Sequence, residues 1–412
     1  MADGVQGLLY SYEEGEWLTE RAVTRTVALT SYHNLLMQEF AMEVNKMTYR
    51  VPFVDPGRNY KMIKDEIDAA YTEVMTRGDL IMRGQLRTFE ENLARFVGTK
   101  YAVGLNSGYD ALHISMLAAG IGPGDEVIVP AHTFVATASA VVNAGGTPVL
   151  VDVGKDYNID VEKIEEAITP RTKAILPVHL NGRVCEMETI MSLAEEHDLV
   201  VIEDACQSLG ATFNGQRAGT FGLTGCWSFY PFKILGGYGD NGAITTDDPE
   251  VAKYARLLRY NGEDKETGAY YHHGFTCLMD NLQAAFLDVK LRHLSEWIER
   301  RRAIAARYRD GLSGVGDLTL PHFSDPRFED VYQNYVVRTS QRDELVKYLE
   351  ENGVEVLIHW PKPYYQYEGL GLSDRGFPET EAISKEVLSL PMNVELSDEQ
   401  VEYVIESIQA FF

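Results

Sequence analysis

Lys233 stands in a setting that a solvated surface lysine does not need. Trp227, Phe229, Tyr230 and Phe232 precede it, and Gly236, Gly237, Gly239 and Gly242 follow it. Glycines at such a density let the backbone turn sharply and come close to a ligand. A lysine amine attacks carbonyl carbons and forms Schiff bases when its surroundings favour the neutral form. Ser228, in the same stretch, offers a hydroxyl to a phosphate. The competing reading of this stretch alone is a surface lysine beside a glycine-rich turn.

Three other segments carry residue types that fit beside such a lysine. Asn106-Ser-Gly-Tyr-Asp-Ala111 leads from an apolar run into a helical one, a place where backbone N–H groups and the helix dipole meet an anion. No Gly-Lys-Ser/Thr follows, so it is not a nucleotide-triphosphate loop, and an ordinary helix cap reads equally well. In Ile202-Glu-Asp-Ala-Cys-Gln207, Asp204 closes an apolar strand. A carboxylate there could keep a pyridine nitrogen protonated and make the ring an electron sink, as pyridoxal chemistry requires. Gln207 could donate to a ring oxygen. A polar loop ending a strand is the alternative. In Pro130-Ala-His-Thr-Phe134, Phe134 could stack on an aromatic cofactor or fill the core, and His132 reads as a satisfied histidine.

Composition narrows the field. The chain has 412 residues, 45% hydrophobic and 24% charged, which suits a globular protein with a large and a smaller domain. A formal net charge of −25 argues against nucleic acid and against an anionic membrane surface as partners. The four cysteines, Cys185, Cys206, Cys226 and Cys277, form no CxxC pair and no disulfide framework, which points to no zinc site and to a reducing cytoplasm. The uncharged stretch 127–151 is broken by Pro130, Asn143, Gly145, Gly146 and Pro148, and reads as buried strand, turn, helix, turn and strand. No basic region followed by an apolar run opens the chain, so no signal peptide is expected.

The elements that must position these residues alternate. Strands are predicted at 101–105, 126–129, 148–153, 174–178, 199–203, 225–229 and 242–245. Several are near-continuous apolar runs, as expected when both faces of a sheet are covered. Helices are predicted at 60–77, 88–97, 111–119, 161–167 and 186–197, followed by 283–294 and 294–308 as separate long helices. The pattern is α/β, a mostly parallel sheet with helices on both faces, whose ligands bind at the carboxyl ends of the strands. Residues 1–48 read as an N-terminal extension of unassigned role, 49–310 as a large domain and 311–412 as a small α+β domain. The last carries strands at 335–339 and 354–359 and helices at 342–352, 384–390 and 398–411.

Taken in order, these segments resemble the DegT/DnrJ/StrS sugar aminotransferases from about Val51 to the C-terminus. The resemblance rests on Ser107-Gly-Tyr-Asp-Ala-Leu112, Pro130-Ala-His-Thr-Phe134, Pro177-Val-His-Leu180, Glu203-Asp-Ala-Cys-Gln207, Ser228-Phe-Tyr-Pro-Phe-Lys233, Gly239-Asp-Asn-Gly242 and Leu388-Ser-Leu-Pro-Met392. It implies type I fold of the pyridoxal phosphate enzymes and a homodimer with active sites at the interface. Lys233 would form the Schiff base with the cofactor and shuttle the proton. Asp204 would hold the pyridine nitrogen, Gln207 the ring hydroxyl, Phe134 would stack, and Ser228 with the Gly108 and Tyr109 backbone would bind phosphate. The substrates implied are an amino-acid donor, glutamate or glutamine, and a keto sugar on a nucleotide, with the wording around Lys233 closer to members acting on 3-keto sugars. His359, Lys362 and Tyr364 lie where the family brings its small domain over the site, whereas Trp360 reads as core.

The chain departs from the family at Gly274-Phe-Thr-Cys-Leu278. Thr276 stands where the family has the asparagine that reaches the partner subunit's cofactor phosphate, and Leu278 where it has an arginine. The rival readings are a dehydratase of the same fold and a non-catalytic cofactor-binding regulatory protein. The former carries histidine in place of Lys233, and the latter needs no proton shuttle.

Overall fold

The computed structural model describes residues 49–321, 324–372 and 376–412; the reading of residues 1–48 lies outside them. All the predicted strands before residue 250 enter one sheet: β1 (Tyr101–Leu105), β2 (Glu126–Pro130), β3 (Thr147–Val151), β4 (Thr172–Ile175), β5 (Val200–Asp204), β6 (Thr224–Ser228) and β7 (Gly242–Thr246). Their order is β1-β7-β6-β5-β4-β2-β3. Neighbours run parallel except β7, which is antiparallel to both β1 and β6. β1, β2, β5 and β6 therefore end at one edge of the sheet, and the segments after them meet there.

Side chains alternate between two cores, as the pleat requires. Ala102, Ile128, Ile175, Val201, Trp227 and Ala243 face one cluster, where Phe89, Leu93, Leu287 and Leu291 cover them. Val103, Val127, Val129, Ala174, Ile202, Cys226 and Ile244 face the other, with Leu112, Met116, Val141 and Ala255. Helices cover both faces: α3 (Gly84–Val97) on the first, and α4 (Gly108–Ala118), α5 (Val135–Asn143) and α7 (Pro249–Leu258) on the second. Before α7 there are also α1 (Pro56–Met62), α2 (Lys64–Arg77) and α6 (Met187–Glu196), and the predicted helix at 161–167 is a 3₁₀ turn at Val161–Lys163 followed by one α-turn at Ile164–Ala167. A further cluster joins Val51, Ile304 and Tyr308 to Tyr335, Val337, Leu349, Leu388, Leu390, Val404 and Ile408.

Several boundaries differ from the sequence reading. Residues 283–308 form no pair of helices but the middle of one, α8 (Asn281–Leu312), because no glycine or proline interrupts it before Gly311. The predicted helix at 60–77 breaks at Ile63, whose φ of −123° is not helical, into α1 and α2. α7 was not foreseen, although Asp248 caps it with its side chain and Pro249 opens it. The C-terminal region holds β8 (Tyr335–Arg338), α9 (Arg342–Glu351), α10 (Pro378–Glu386), β9 (Val387–Leu390) and α11 (Asp398–Phe411). The predicted helix at 384–390 is thus mostly β9, since antiparallel pairing with β8 outweighs local propensity. The predicted strand at 354–359 is reduced to isolated bridges, Val51 to Val354 and Leu357 to Ser389. No helix among the described residues is long and apolar enough to cross a membrane.

One buried ion pair fixes the strand that leads into the site. Arg259 Nη1 pairs with Glu90 Oε1 and donates to the Gly104 carbonyl at 2.9 Å, while the Gly104 amide donates to Glu90 Oε1 at 2.8 Å. Both side chains are buried, so removing one strands the other's charge in the interior. Glu90→Ala is expected to cost about 3–5 kcal/mol in urea unfolding, and Glu90→Gln, which keeps an acceptor, clearly less. Equal losses from both would show that charge is not the controlling term.

Candidate active site

β5 ends in two carboxylates that the pleat sends to opposite sides. Glu203 is fully buried and accepts from the amides of Gly219, Phe221 and Gly222 at 2.7, 2.7 and 2.8 Å. It also pairs with His179 Nε2 at 2.9 Å. His179 Nδ1 accepts from the Cys185 amide at 3.1 Å, so Nε2 carries the ring proton. Asp204 points the other way. Its Oδ2 accepts from the Thr137 hydroxyl at 2.9 Å and its Oδ1 from the Cys206 amide at 3.3 Å. Thr137 is in turn bonded to Thr133 at 3.0 Å. The carboxylate is 5% exposed and fixed in direction, although it sits at a strand end.

Lys233 follows β6 in a tight turn. Its amide donates to the Tyr230 carbonyl at 2.8 Å, and the Gly237 amide returns to the Phe229 carbonyl at 2.8 Å. Lys290, buried on α8, donates to the Gly236 carbonyl at 2.7 Å and lies 4.0 Å over the Tyr238 ring. Burial pushes the Lys290 amine down to about 8. Lys233 is half-buried. Burial lowers its proton affinity from the ordinary lysine value, against the opposing pull of the Asp204 carboxylate. The Cys206 thiol is itself pushed well up, first by burial and then by Asp204, and stays protonated.

The start of α4 supplies a third group. Ser107 caps it, accepting from the Asp110 amide at 3.0 Å and donating to Asp110 Oδ2 at 2.8 Å. The Gly108 and Tyr109 amides belong to the first turn, where no intrahelical acceptor exists. A Cβ on Gly108 would lie 2.7 Å from the Ser228 Cβ and 3.0 Å from the Cys206 sulfur. Only glycine lets this helix start close against β6. Ser228 stays half-buried beside it.

The remaining sequence-predicted residues divide. Gln207 is buried, with Oε1 accepting from the Asn181 amide at 2.9 Å, which leaves its NH₂ as donor. Phe134, 56% exposed at the start of α5, has its ring free to cover a ligand. His359 is held by Ser389 at 2.9 Å. Tyr364 is buried in a cluster with Tyr365 and Phe377, its hydroxyl donating to the Pro130 carbonyl at 3.0 Å, so it steadies the loop that carries Phe134. Lys362 is exposed, 4.8 Å over the Tyr367 ring. Trp360 packs as the sequence reading placed it, against Val336, Ile383 and Val387, with His132 edge-on at 5.3 Å. Thr276 is exposed and donates to Asn261 at 3.0 Å; among the described residues it touches none of Lys233, Asp204, Gln207 or Ser228. Sequence reading missed Thr137, Asn181, Lys290 and Gln333, polar residues that hold the site rather than face it.

These residues fit pyridoxal phosphate by their chemistry. A helix start opened by Gly108 with Ser228 suits a phosphate, and a fixed carboxylate suits a protonated ring nitrogen. An amide donor suits a ring oxygen, and an amine of lowered proton affinity suits a carbonyl. The site also excludes competing positive charge. Burial, reinforced by the charge of Lys233, pushes His359 down to about 4, and burial with the nearby His359 and Arg338 pushes His132 down to about 3. Both are expected to keep neutral-form NMR shifts at pH 6, where an ordinary histidine is largely protonated. The unfolded chain protonates them near 6.5 while the folded one resists, so stability falls as pH drops from 6.5 toward about 4. Replacing His359 by Gln should flatten that fall, measured by denaturant midpoints across the window.

Comparison with known proteins matches this arrangement to one group. Residues 61–409 fit the DegT/DnrJ/EryC1/StrS aminotransferase family. A Geobacillus stearothermophilus protein named "Pleiotropic regulatory protein" is 42% identical over 370 residues, covering 88% of this chain and 98% of that one. A Streptomyces venezuelae dTDP-3-amino-3,4,6-trideoxy-alpha-D-glucose transaminase is 40% identical over 368 residues, covering 88% of this chain and 96% of that one. The crystal structure of NtdA from Bacillus subtilis with bound cofactor PMP superposes with a TM-score of 0.81 at 33% identity, covering 88% of this chain and 85% of that one. With a family match over most of its length, and relatives of this similarity covered almost end to end, the chain belongs to the DegT/DnrJ/EryC1/StrS aminotransferase family.

Proposed function

We propose that this protein is a pyridoxal-phosphate-dependent aminotransferase that moves an amino group from glutamate or glutamine to a keto sugar on a nucleotide, a 3-keto sugar, in amino-sugar biosynthesis. The observation that carries this is a half-buried lysine of lowered proton affinity beside a fixed carboxylate, at the sheet edge where the parallel strands end. When bound, the cofactor supplies an electron-withdrawing ring that stabilises negative charge on the substrate carbon. Asp204 holds the ring nitrogen's proton, with its oxygens oriented by Thr137 and Cys206. The Gly108 and Tyr109 amides and Ser228 hold the phosphate, and Gln207 donates to the ring oxygen. Lys233 Nζ takes the proton from the donor's α-carbon and, in the second half of the cycle, returns one to the sugar carbon.

The 3-keto assignment draws on the 3-amino sugar named for the Streptomyces venezuelae relative. A homodimer is part of the proposal, supported by the exposed apolar side chains Met62, Tyr71, Met75, Leu80 and Ile81 within twenty residues of one another. Thr276, exposed in its own chain, is then the residue offered to the partner's phosphate. A cytoplasmic setting accords with cysteines of which none is paired. The relative named a regulatory protein keeps a second reading in view, a cofactor-binding regulator, and turnover separates the two.

With pyridoxal phosphate the purified protein should absorb in the visible, and glutamate or glutamine should shift the band. Borohydride should fix the label on Lys233; mapping to another lysine, or a band that no amino donor moves, would overturn the proposal. Asp204→Asn should still bind the cofactor but lose at least about 100-fold in turnover. Lys362→Ala should raise KM for the keto sugar and spare the half-reaction with the amino donor. Equal effects on both halves would remove Lys362 from the sugar site.

A further inference from the structure

One glutamine grips the peptide groups on both sides of Lys233. Gln333 Oε1 accepts from the Ile234 amide at 2.7 Å, and Gln333 Nε2 donates to the Phe232 carbonyl at 2.9 Å. Among the described residues these are the hydrogen bonds that the Phe232 carbonyl and the Ile234 amide make outside their own turn. Within the turn the Lys233 amide donates to the Tyr230 carbonyl at 2.8 Å, and the other ties fall at Phe229 with Gly237, at Gly236 through Lys290 and at Tyr238 through Gln283. Gln333 comes from a segment about a hundred residues further along the chain.

The segment around Gln333 is itself pinned. Arg301, 6% exposed, donates through Nη1 to the carbonyls of Tyr332, Gln333 and Met392 at 3.0, 3.3 and 2.7 Å. The Val331 amide donates to the Gly182 carbonyl at 2.9 Å. A Cβ on Gly182 would lie 2.6 Å from the Gln333 nitrogen, so the two backbones meet there only through a glycine. Tyr332 is held at a φ of 51°, a left-handed conformation that a tyrosine adopts only under constraint. The next residue, Asn334, donates to Asn181 Oδ1 at 3.1 Å, and Asn181 in turn donates its amide to Gln207. The backbone that carries Gln333 is thus fixed from several directions.

We infer that Gln333 is a positioning residue for Lys233, its side-chain amide keeping the lysine's backbone seated so that the amine stays out of bulk water. This rests on the reading of Lys233 as the reactive amine. Lysine has a long flexible stem, and its amine returns to ordinary proton affinity whenever the backbone tips it toward solvent. Two hydrogen bonds to a single rigid amide resist that tipping better than either alone, because neither flanking peptide can rotate without stretching one of them.

The test is competitive acetylation of lysines in the cofactor-free full chain, read by mass spectrometry. For each lysine the ratio of its rate at pH 8 to its rate at pH 10 cancels accessibility and reports its proton affinity. Lys362, exposed, is the reference. In the unsubstituted protein the Lys233 ratio should exceed that of Lys362. In Gln333→Met, of similar length but without donor or acceptor, the Lys233 ratio should fall at least about threefold, toward Lys362. Asn334→Ala, which removes one side-chain bond of the same segment but leaves the ties through Arg301 and Gly182 and touches neither Phe232 nor Ile234, should leave the Lys233 ratio unchanged. A Lys233 ratio unmoved by Gln333→Met, with a lowered melting temperature, would reduce Gln333 to a fold-supporting residue and overturn the inference. A ratio equal to that of Lys362 before any substitution would instead overturn the reading of Lys233. Should Gln333→Met not fold, hydrogen exchange in the unsubstituted protein decides. The Ile234 amide should be protected as strongly as the Gly237 amide, and exchange at loop rates would overturn the grip.

Discussion

Burial of the Lys233 amine is the term on which the rest of this site depends. Water stabilises an ammonium strongly, so an amine that is to be neutral must lose most of its hydration, yet it must remain reachable. Asp204 lies close enough to pull the other way, and burial outweighs it. The balance holds because Asp204 is not a free counter-ion. Its oxygens are turned toward Thr137 and the Cys206 amide, and so it neither collapses onto the lysine nor draws it fully into an ion pair. Neutral His359 and His132 complete the arrangement, since a second cation there would compete for Asp204 and repel an ammonium intermediate state of Lys233.

The sheet makes this balance possible by putting adjacent residues to different uses. In β5 the pleat separates Glu203 from Asp204, and the buried Glu203 organises the 219–222 turn through backbone amides while Asp204 faces the opposite side. Glu203 needs four donors to be tolerated at full burial, and it has them in three amides and His179. The antiparallel strand β7 then lets β1 and β6 end at the same edge while remaining next-nearest neighbours. That is what brings the α4 start against Ser228.

Much of this was legible in the sequence, for physical reasons that differ by element. Several strands of the main sheet, such as β2, are buried on both faces, and burial on both sides writes a near-continuous apolar run that survives without context. Lys233, Asp204, Ser228 and Gly108 announce themselves by type at strand ends. The residues that hold them do not. Gln333 contacts positions 99 and 101 residues away, and nothing local marks a glutamine for that use. Thr137 reads as one more small residue on a buried helix until its hydroxyl is seen on Asp204. Tyr364 was expected to face substrate, because an aromatic next to Lys362 fits either a pocket or a core, and its hydroxyl on Pro130 places it in the core. The 387–390 strand was missed because its partner, β8, lies fifty residues earlier and pairing is set in space.

Charge places a further demand on substrate recognition. At a net charge of −25 the protein repels a nucleotide sugar at long range, so recognition must come from cations that are locally uncompensated. Arg338 lies near His132 but is engaged by both Glu379 and Glu386, and its charge is already answered. Arg301 is buried with its Nη1 on three carbonyls, and Lys290 is buried on Gly236. Lys362 differs from these. It is exposed, and among the described residues it lies over the Tyr367 ring with no carboxylate paired to it, between two prolines. A cation resting on an aromatic face keeps its charge available to an incoming phosphate, whereas one in a salt bridge must first break it. In the substrate role proposed for Lys362, the aromatic contact is what leaves its charge available in a strongly acidic protein.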